Sequence, residues 1–187
     1  MQVESRNQKS KGRFVRMMVF SGLMTALTAV GAWLKIPFYP VPITLQTLFT
    51  LLSGSLLFPK WAAASQCVYL LLGLLGLPVF AGGGGLHYLV QPTFGYLVGL
   101  PFLAFFSSRI FQLKLRFVSL AAALSGLQII HLLFGTLWLK AAFDFVIHQK
   151  LGWDQALKAG TILFLPSALI KALAVSMLHP KLEQRMR

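Results

Sequence analysis

Residues 117–138 run without a single Asp, Glu, Lys or Arg. That is long enough to cross the hydrocarbon of a bilayer as a helix, which takes roughly 17–25 residues. Similar stretches recur along the chain. The periodicity predicts six spans, at 14–34, 43–58, 61–77, 94–111, 117–138 and 159–178. The second and third are short and are joined only by Phe58-Pro59-Lys60, which allows nothing longer than a hairpin turn. Short spans are tolerated where neighbouring helices bury their ends. The expected fold is therefore an all-α integral membrane protein, a single six-helix membrane domain over 14–179. A basic segment precedes it (1–13) and a basic tail follows (180–187).

Composition agrees. Only 11% of residues are charged, against about 25% in soluble domains, too few to cover a surface facing water. The net charge of +13 invites a nucleic-acid reading, but the basic residues sit at the ends of apolar segments rather than along one polar face. The basic start followed by an apolar run also fits a signal peptide. Against that, the run continues unbroken through Trp33 and the rest of the chain is itself apolar, so a first transmembrane helix accounts for the same residues.

Lys and Arg set the orientation. With the N-terminus inside, the cytoplasmic segments hold Arg6, Lys9, Lys11, Arg13, Arg16, Lys60, Arg109, Lys114, Arg116, Lys181, Arg185 and Arg187, and the outer segments only Lys35, Lys140, Lys150 and Lys158. Lys171 remains, inside the last span. Twelve against four places both termini in the cytoplasm, as an even number of spans requires. Three outer segments then lie together: 35–42, rich in Pro, 78–93, rich in Gly, and 139–158. Pro fixes backbone angles and Gly permits angles closed to other residues. An uncharged sixteen-residue loop is unusual as a mere connector, and the combination suits a binding site at the mouth of the bundle. No internal repeat of the kind that builds many secondary transporters is visible.

Reactive chemistry is missing. The four acids, Glu4, Asp144, Asp154 and Glu183, fall in the termini or the last outer loop, so no carboxylate pair lies in a span. His87, His131, His148 and His179 show no metal-ligand spacing. Of these His87 is expected to face the outer site and the other three to act as interfacial anchors. The run Gly82–Gly85 is no phosphate loop, because Gly-Lys occurs nowhere in the chain. Leu124-Ser125-Gly126-Leu127-Gln128 resembles a transport-ATPase signature but lies in an apolar span. No catalytic residue, metal site or cofactor is expected, and any ATPase must be another polypeptide.

Four segments carry a family resemblance. Pro40-Val41-Pro42-Ile43-Thr44-Leu45-Gln46 resembles the PVPITLQ segment of BioY proteins. Tyr69-Leu70-Leu71-Leu72-Gly73 followed by Gly76-Leu77-Pro78-Val79-Phe80-Ala81-Gly82-Gly83 is similar to their YLLLG and GLPVFAGG. Gln91-Pro92-Thr93-Phe94-Gly95-Tyr96-Leu97-Val98-Gly99 resembles GPTGGYLIG, and Phe164-Leu165-Pro166-Ser167-Ala168-Leu169-Ile170-Lys171-Ala172 resembles FLPGDLIKA. The matches run in register from about Phe20 to Ala174. The resemblance implies a multi-pass subunit of the cell (inner) membrane that captures biotin from outside for an energy-coupling-factor (ECF) importer. Its implied partners are a transmembrane coupling protein and paired ATPases. A stand-alone biotin or biotin-precursor permease is the alternative.

Biotin joins an apolar bicycle, a ureido group and a carboxylate, so its pocket needs apolar walls with a few oriented polar groups. Phe80, Tyr88 and Tyr96 are candidate walls, and Thr44, Gln46 and loop amides such as that of Gly83 are candidate hydrogen-bonding groups. Lys171 is the sharpest candidate, since an ammonium inside an apolar span is costly, about 2.5–3.5 kcal/mol. The reading places it roughly twelve residues into the sixth span. Two departures stand out: Ala168 replaces the family's Asp one helical turn before Lys171, and Gly84 stands near where some relatives carry Arg. In the first span Ser21, Thr25 and Ala29, with Gly22 and Ala26 one position on, form a small-residue stripe. Contact with the coupling subunit and packing within the bundle both remain open for it.

Overall fold

The computed structural model describes the backbone of residues 2–186 and the side chains of 11–182 and 184. Six helices form the bundle: α1 (Gln2–Trp33), α2 (Gln46–Leu56), α3 (Pro59–Leu74), α4 (Phe94–Gln112), α5 (Phe117–Phe145) and α7 (Leu165–Met186). A short α6 (Trp153–Gly160) lies outside it. α2 touches α1, α3, α4 and α7, while α4 packs on α2, α3 and α5. These two are the inner elements, and α1, α5 and α7 wrap them.

Among the described residues four helical stretches are long and apolar enough to cross a membrane by themselves: Lys11–Trp33, Phe94–Gln112, Phe117–Phe145 and Trp153–Leu182. α2 and α3, at 11 and 16 residues, rise only ~16 and ~24 Å against a core of about 30 Å. They depend on their neighbours. α2 is shorter than the span expected at 43–58, because Pro37, Pro40 and Pro42 hold the preceding chain extended. Residues 43–44 are instead strand β2 (Ile43–Thr44), paired antiparallel with β1 (Lys35–Ile36), Lys35 opposite Thr44. α3 starts with Pro59 in its first turn, where the missing amide costs nothing.

The last two spans also differ from expectation. α5 runs on to Phe145, and α7 begins at Leu165 rather than 159. Gly160 closes α6, and a 3-10 turn at Ile162–Phe164 precedes α7. The expected outer loop 139–158 therefore holds the end of α5 and most of α6.

Polarity is distributed as a bilayer demands. Val19, Leu23, Phe102, Ile130, Ile170 and Met177 face outwards, while Thr28, Thr50, Ser53, Ser65, Gln66 and Ser107 are fully buried. Interior hydroxyls satisfy one another or helix carbonyls, since lipid offers no partner. Gln66 Nε2 donates to Thr28 Oγ1 at 3.2 Å, and Thr50 Oγ1 donates to Gln66 Oε1 at 3.2 Å. Close approach of α2 to α4 rests on Gly54, where a Cβ would collide with the Ser107 hydroxyl and lie 2.8 Å from the Ser108 amide nitrogen. A Gly54→Leu variant is expected to lose about 1–3 kcal/mol through overpacking, read as a lowered midpoint of thermal unfolding in detergent; an unchanged midpoint would mean that the α2–α4 contact does not limit stability.

Candidate functional site

At one end of the bundle a cavity of about 320 Å³ opens between the β1–β2 hairpin, the start of α2, the Gly-rich loop, α4, α5 and the first turns of α7. Ligand pockets typically measure about 300–1,000 Å³. Several of its walls are hydrogen-bonded to each other. Trp33 Nε1 donates to the Pro78 carbonyl at 2.9 Å, Trp138 Nε1 to that of Gln91 at 3.0 Å, and Lys35 Nζ to that of Ala81. The opposite end gathers Arg13, Lys60 and Arg109.

Lys171 lines the cavity from α7. Because that helix starts at Leu165, the side chain originates about 9 Å from the helix end, nearer the mouth than the expected twelve residues. Its Nζ donates to the Thr44 carbonyl at 2.7 Å and to Thr47 Oγ1 at 3.0 Å. An ammonium has three donors, so one remains for a ligand. Among the described residues the one ion pair is Lys140–Asp144, and Ala168 is buried in the cavity wall one turn from Lys171. The charge is thus held by neutral oxygens alone.

A relay fixes those oxygens. Thr44 Oγ1 donates to Gln46 Oε1 at 2.9 Å, Gln46 Nε2 donates to Tyr69 OH at 2.6 Å, and Tyr69 OH donates to the Val79 carbonyl at 3.0 Å. The hairpin, α2, α3 and the Gly-rich loop are joined through three side chains and one backbone carbonyl. Tyr88, on a 3-10 turn (Leu86–Val90), accepts the Gly82 amide at 2.6 Å. Burial pushes its phenol above the usual tyrosine range, so it keeps a proton to donate. Tyr96 OH donates to the Gly160 carbonyl at 2.9 Å, tying α4 to the end of α6.

Of the sequence-predicted residues, Thr44, Gln46, Tyr88, Tyr96 and Lys171 line the cavity. Phe80 and Gly83 do not. Phe80 is buried behind the wall, its ring 5.4 Å from Tyr69 and 4.7 Å from Tyr88. Gly83, at φ +117°, exchanges backbone hydrogen bonds with Phe80 at 2.8 and 3.1 Å. Gly84 has no room for a side chain, since a Cβ would lie 2.9 Å from the Gly73 carbonyl oxygen; the arginine of some relatives would require a different loop path.

The histidines exchange their expected places. His87 is exposed on the turn whose inward residue is Tyr88, and it does not line the cavity. His131, expected as an interfacial anchor, does line it, with its buried Nδ1 lacking a hydrogen-bond partner. Thr47, Gln128 and His131 were not foreseen at the site. Thr47 sits one turn after Thr44 at the start of α2, a spacing that could have flagged it. The small-residue stripe of α1 divides: Ser21 and Thr25 donate to the carbonyls of Trp61 and Ser65 at 3.3 and 2.8 Å, whereas Gly22 and Ala26 are exposed.

The profile of the BioY family matches residues 3–187. The chain belongs to the BioY family. It is 37% identical over 172 residues to the "Biotin transporter BioY" of Thermotoga maritima, covering 91% of this chain and 97% of that protein. It is 36% identical over 170 residues to the "Probable biotin transporter BioY" of Lysinibacillus sphaericus, covering 88% and 85%. The crystal structure of the S-component for biotin from an ECF-type ABC transporter superposes with a TM-score of 0.78 at 27% identity, covering 92% of this chain and 93% of that one. These relatives are transporters rather than enzymes, and the chain is an integral membrane protein of their fold.

The relay makes a prediction. Tyr69→Phe leaves the Gln46 amide and the Val79 carbonyl each without a partner, and an orphaned buried polar group costs about 1–3 kcal/mol. The variant should unfold at lower temperature in detergent than the wild type, and equal midpoints would show that the relay bears no load.

Proposed function

We propose that this BioY-family chain is the biotin-capturing subunit of an ECF-type importer in the cell membrane, taking biotin from the outer side with both of its own termini in the cytoplasm. The observation that carries the reading is the cavity wall at Lys171, where a buried ammonium keeps one unused donor and has no acidic partner among the described residues. Such a group favours a ligand bearing an anionic or strongly accepting oxygen. Leu97, Leu100, Leu132 and Phe164 supply apolar wall for a ring system. Thr44, Gln46, Tyr88 and Tyr96 are proposed as orienting contacts, and Phe80 and Gly83 as support for the loop behind them. Lys35 is a second cation at the mouth, exposed and bonded to Ala81. The relatives' names and the biotin S-component support the ligand.

The absence of any nucleotide-binding motif in the sequence supports an ATPase supplied by partner subunits beside a coupling protein. The exposed Gly22–Ala26 face of α1 is proposed as part of that contact, its small residues allowing close helix approach.

Labelled biotin should bind the purified protein and bind Lys171→Met roughly tenfold to hundredfold more weakly, the loss of one charge-assisted hydrogen bond. Unchanged affinity in the variant sinks the role of Lys171, and a bound ligand other than biotin in mass spectra of the purified protein sinks the substrate. Mild detergent extraction should bring down a coupling protein and ATPases, whereas biotin uptake by the chain alone in liposomes would favour the stand-alone permease. In a Cys67→Ala background, an impermeant thiol reagent applied outside cells should label Lys150→Cys but not Gln184→Cys; the reverse pattern would invert the topology.

A further inference from the structure

The end of the bundle away from the cavity carries a groove that the transport reading does not use. It lies between α1, the α2–α3 turn and α4, and encloses about 840 Å³. Arg13 from α1, Lys60 from the first turn of α3 and Arg109 from α4 stand on its rim, all exposed. Its floor is apolar and aromatic: Phe14, Met17, Phe58, Trp61 and Phe105. The Phe14 and Trp61 rings meet edge to face at 5.2 Å. The guanidinium of Arg13 lies 4.9 Å from the centre of the Phe58 ring, and that of Arg109 lies 5.6 Å from that of Phe105. Each arginine is held by an aromatic face, which leaves its N–H donors directed around the rim.

None of the three cations has an acidic partner among the described residues. Of the four acids in the chain, Asp144 is paired with Lys140 and Asp154 opens α6 at the cavity end. Among the residues whose side chains are described, which leave out Glu4 and Glu183, the groove therefore has uncompensated positive charge above an apolar floor, on the flank of helices whose outer faces meet lipid. A soluble anion would satisfy the rim and leave the floor bare. An acidic protein segment would satisfy the rim but set polar backbone against Phe14 and Phe105. A molecule with an anionic phosphodiester head and hydrocarbon tails matches both parts, and basic pockets between membrane helices are known to take such headgroups.

We propose that this groove is a binding site for an anionic phospholipid, the phosphodiester seated among Arg13, Lys60 and Arg109 and an acyl chain laid over Phe14, Trp61 and Phe105. Arginine is suited to the phosphate because its planar fork can bind two oxygens at once. The site is distinct from the ligand cavity, so its occupant holds the α1–α3–α4 end in register without entering the transport path.

Trp61 reports on the groove, since Trp33, Trp138 and Trp153 all lie towards the cavity end. The full chain is reconstituted in phosphatidylcholine vesicles containing one-tenth brominated phosphatidylglycerol or, in a parallel sample, one-tenth brominated phosphatidylcholine. The quenching due to Trp61 is taken as the difference between wild type and Trp61→Phe. Brominated phosphatidylglycerol should be enriched at Trp61 about fivefold or more over brominated phosphatidylcholine, an enrichment of the order expected from one basic residue near an anionic lipid. The preference should shrink in high salt and vanish in an Arg13→Gln/Lys60→Gln/Arg109→Gln variant that still binds labelled biotin. Arg13→Lys with Arg109→Lys should retain part of it. Equal quenching by the two lipids in the wild type overturns the proposal without recourse to any variant. So does a preference that survives the triple substitution, or a triple variant that keeps its lipid preference and instead loses co-purifying proteins.

Discussion

The Lys171 ammonium is buried at the wall of a cavity inside an apolar bundle, and the arrangement of the surrounding elements answers its need for oxygen. Among the described residues no carboxylate pairs with it, and the oxygens come from backbone and hydroxyl. The Thr44 carbonyl can be offered because Thr44 ends a strand rather than beginning a helix. In a helix that carbonyl would be engaged four residues on. The hairpin made by the prolines thus has an electrostatic consequence: it frees a carbonyl at the depth where α7 places Lys171. Thr47, one turn later, adds the second oxygen. Ala168 sharpens the requirement, since a carboxylate there would have neutralised the ammonium within its own helix.

The same scarcity of partners shapes the rest of the interior. Gln66 illustrates it. Its amide bridges Thr28 on α1 and Thr50 on α2 while itself lying on α3, so three helices share one fully satisfied group. The single Thr50 hydroxyl proton is shared between Gln66 Oε1 and the Gln46 carbonyl at 2.9 Å, and Gln46 belongs to the relay behind Lys171. The seam of small polar residues between α1, α2 and α3 is therefore continuous with the cavity wall. In a bilayer apolar burial does not distinguish inside from outside, so such hydrogen bonds and close packing at small residues such as Gly54 carry the specificity of assembly.

Much of this was legible in the sequence, and the boundary of legibility is physical. Long apolar runs gave α4 almost directly and located α1 and α5, because hydrocarbon thickness is a strong ruler, although α1 begins before the expected span and α5 runs on past it. The ruler fails for α2, α3 and α7. α2 is short because Pro42 and its neighbours keep the chain extended, while the apolar pattern of Ile43 to Leu57 continues past the helix boundary. The start of α7 was misplaced by the break at Gly160 and Thr161, which interrupts the helix without interrupting the hydropathy. Of the seven candidate site residues five line the cavity, with Phe80 and Gly83 lying behind it; Tyr88, outside every family motif, is one of the five. The histidines show what pattern cannot carry: whether His87 or Tyr88 points inwards depends on the phase of a one-turn 3-10 element, and His131 faces the cavity because Gly99 leaves room for its ring.

The two ends of the bundle are built by different means, and the difference bears on transport. At the basic end α2 joins α3 and α4 joins α5 through turns of a few residues, and the Ser108 hydroxyl bonds the Leu57 carbonyl at 2.6 Å within the core. At the cavity end the long segments are held mainly by individual side chains reaching loop carbonyls: Trp33 to Pro78, Lys35 to Ala81, Trp138 to Gln91 and Tyr96 to Gly160. Three of these four are exposed. An exposed hydrogen bond exchanges readily with water and contributes only about 0.5–1.5 kcal/mol net, so each can be released singly without disturbing a helix. Segments tied in this way belong to the low-stability part of a fold. Access to the cavity is therefore least costly from the end where the loops meet water, and the buried seam beneath can stay intact while a ligand enters.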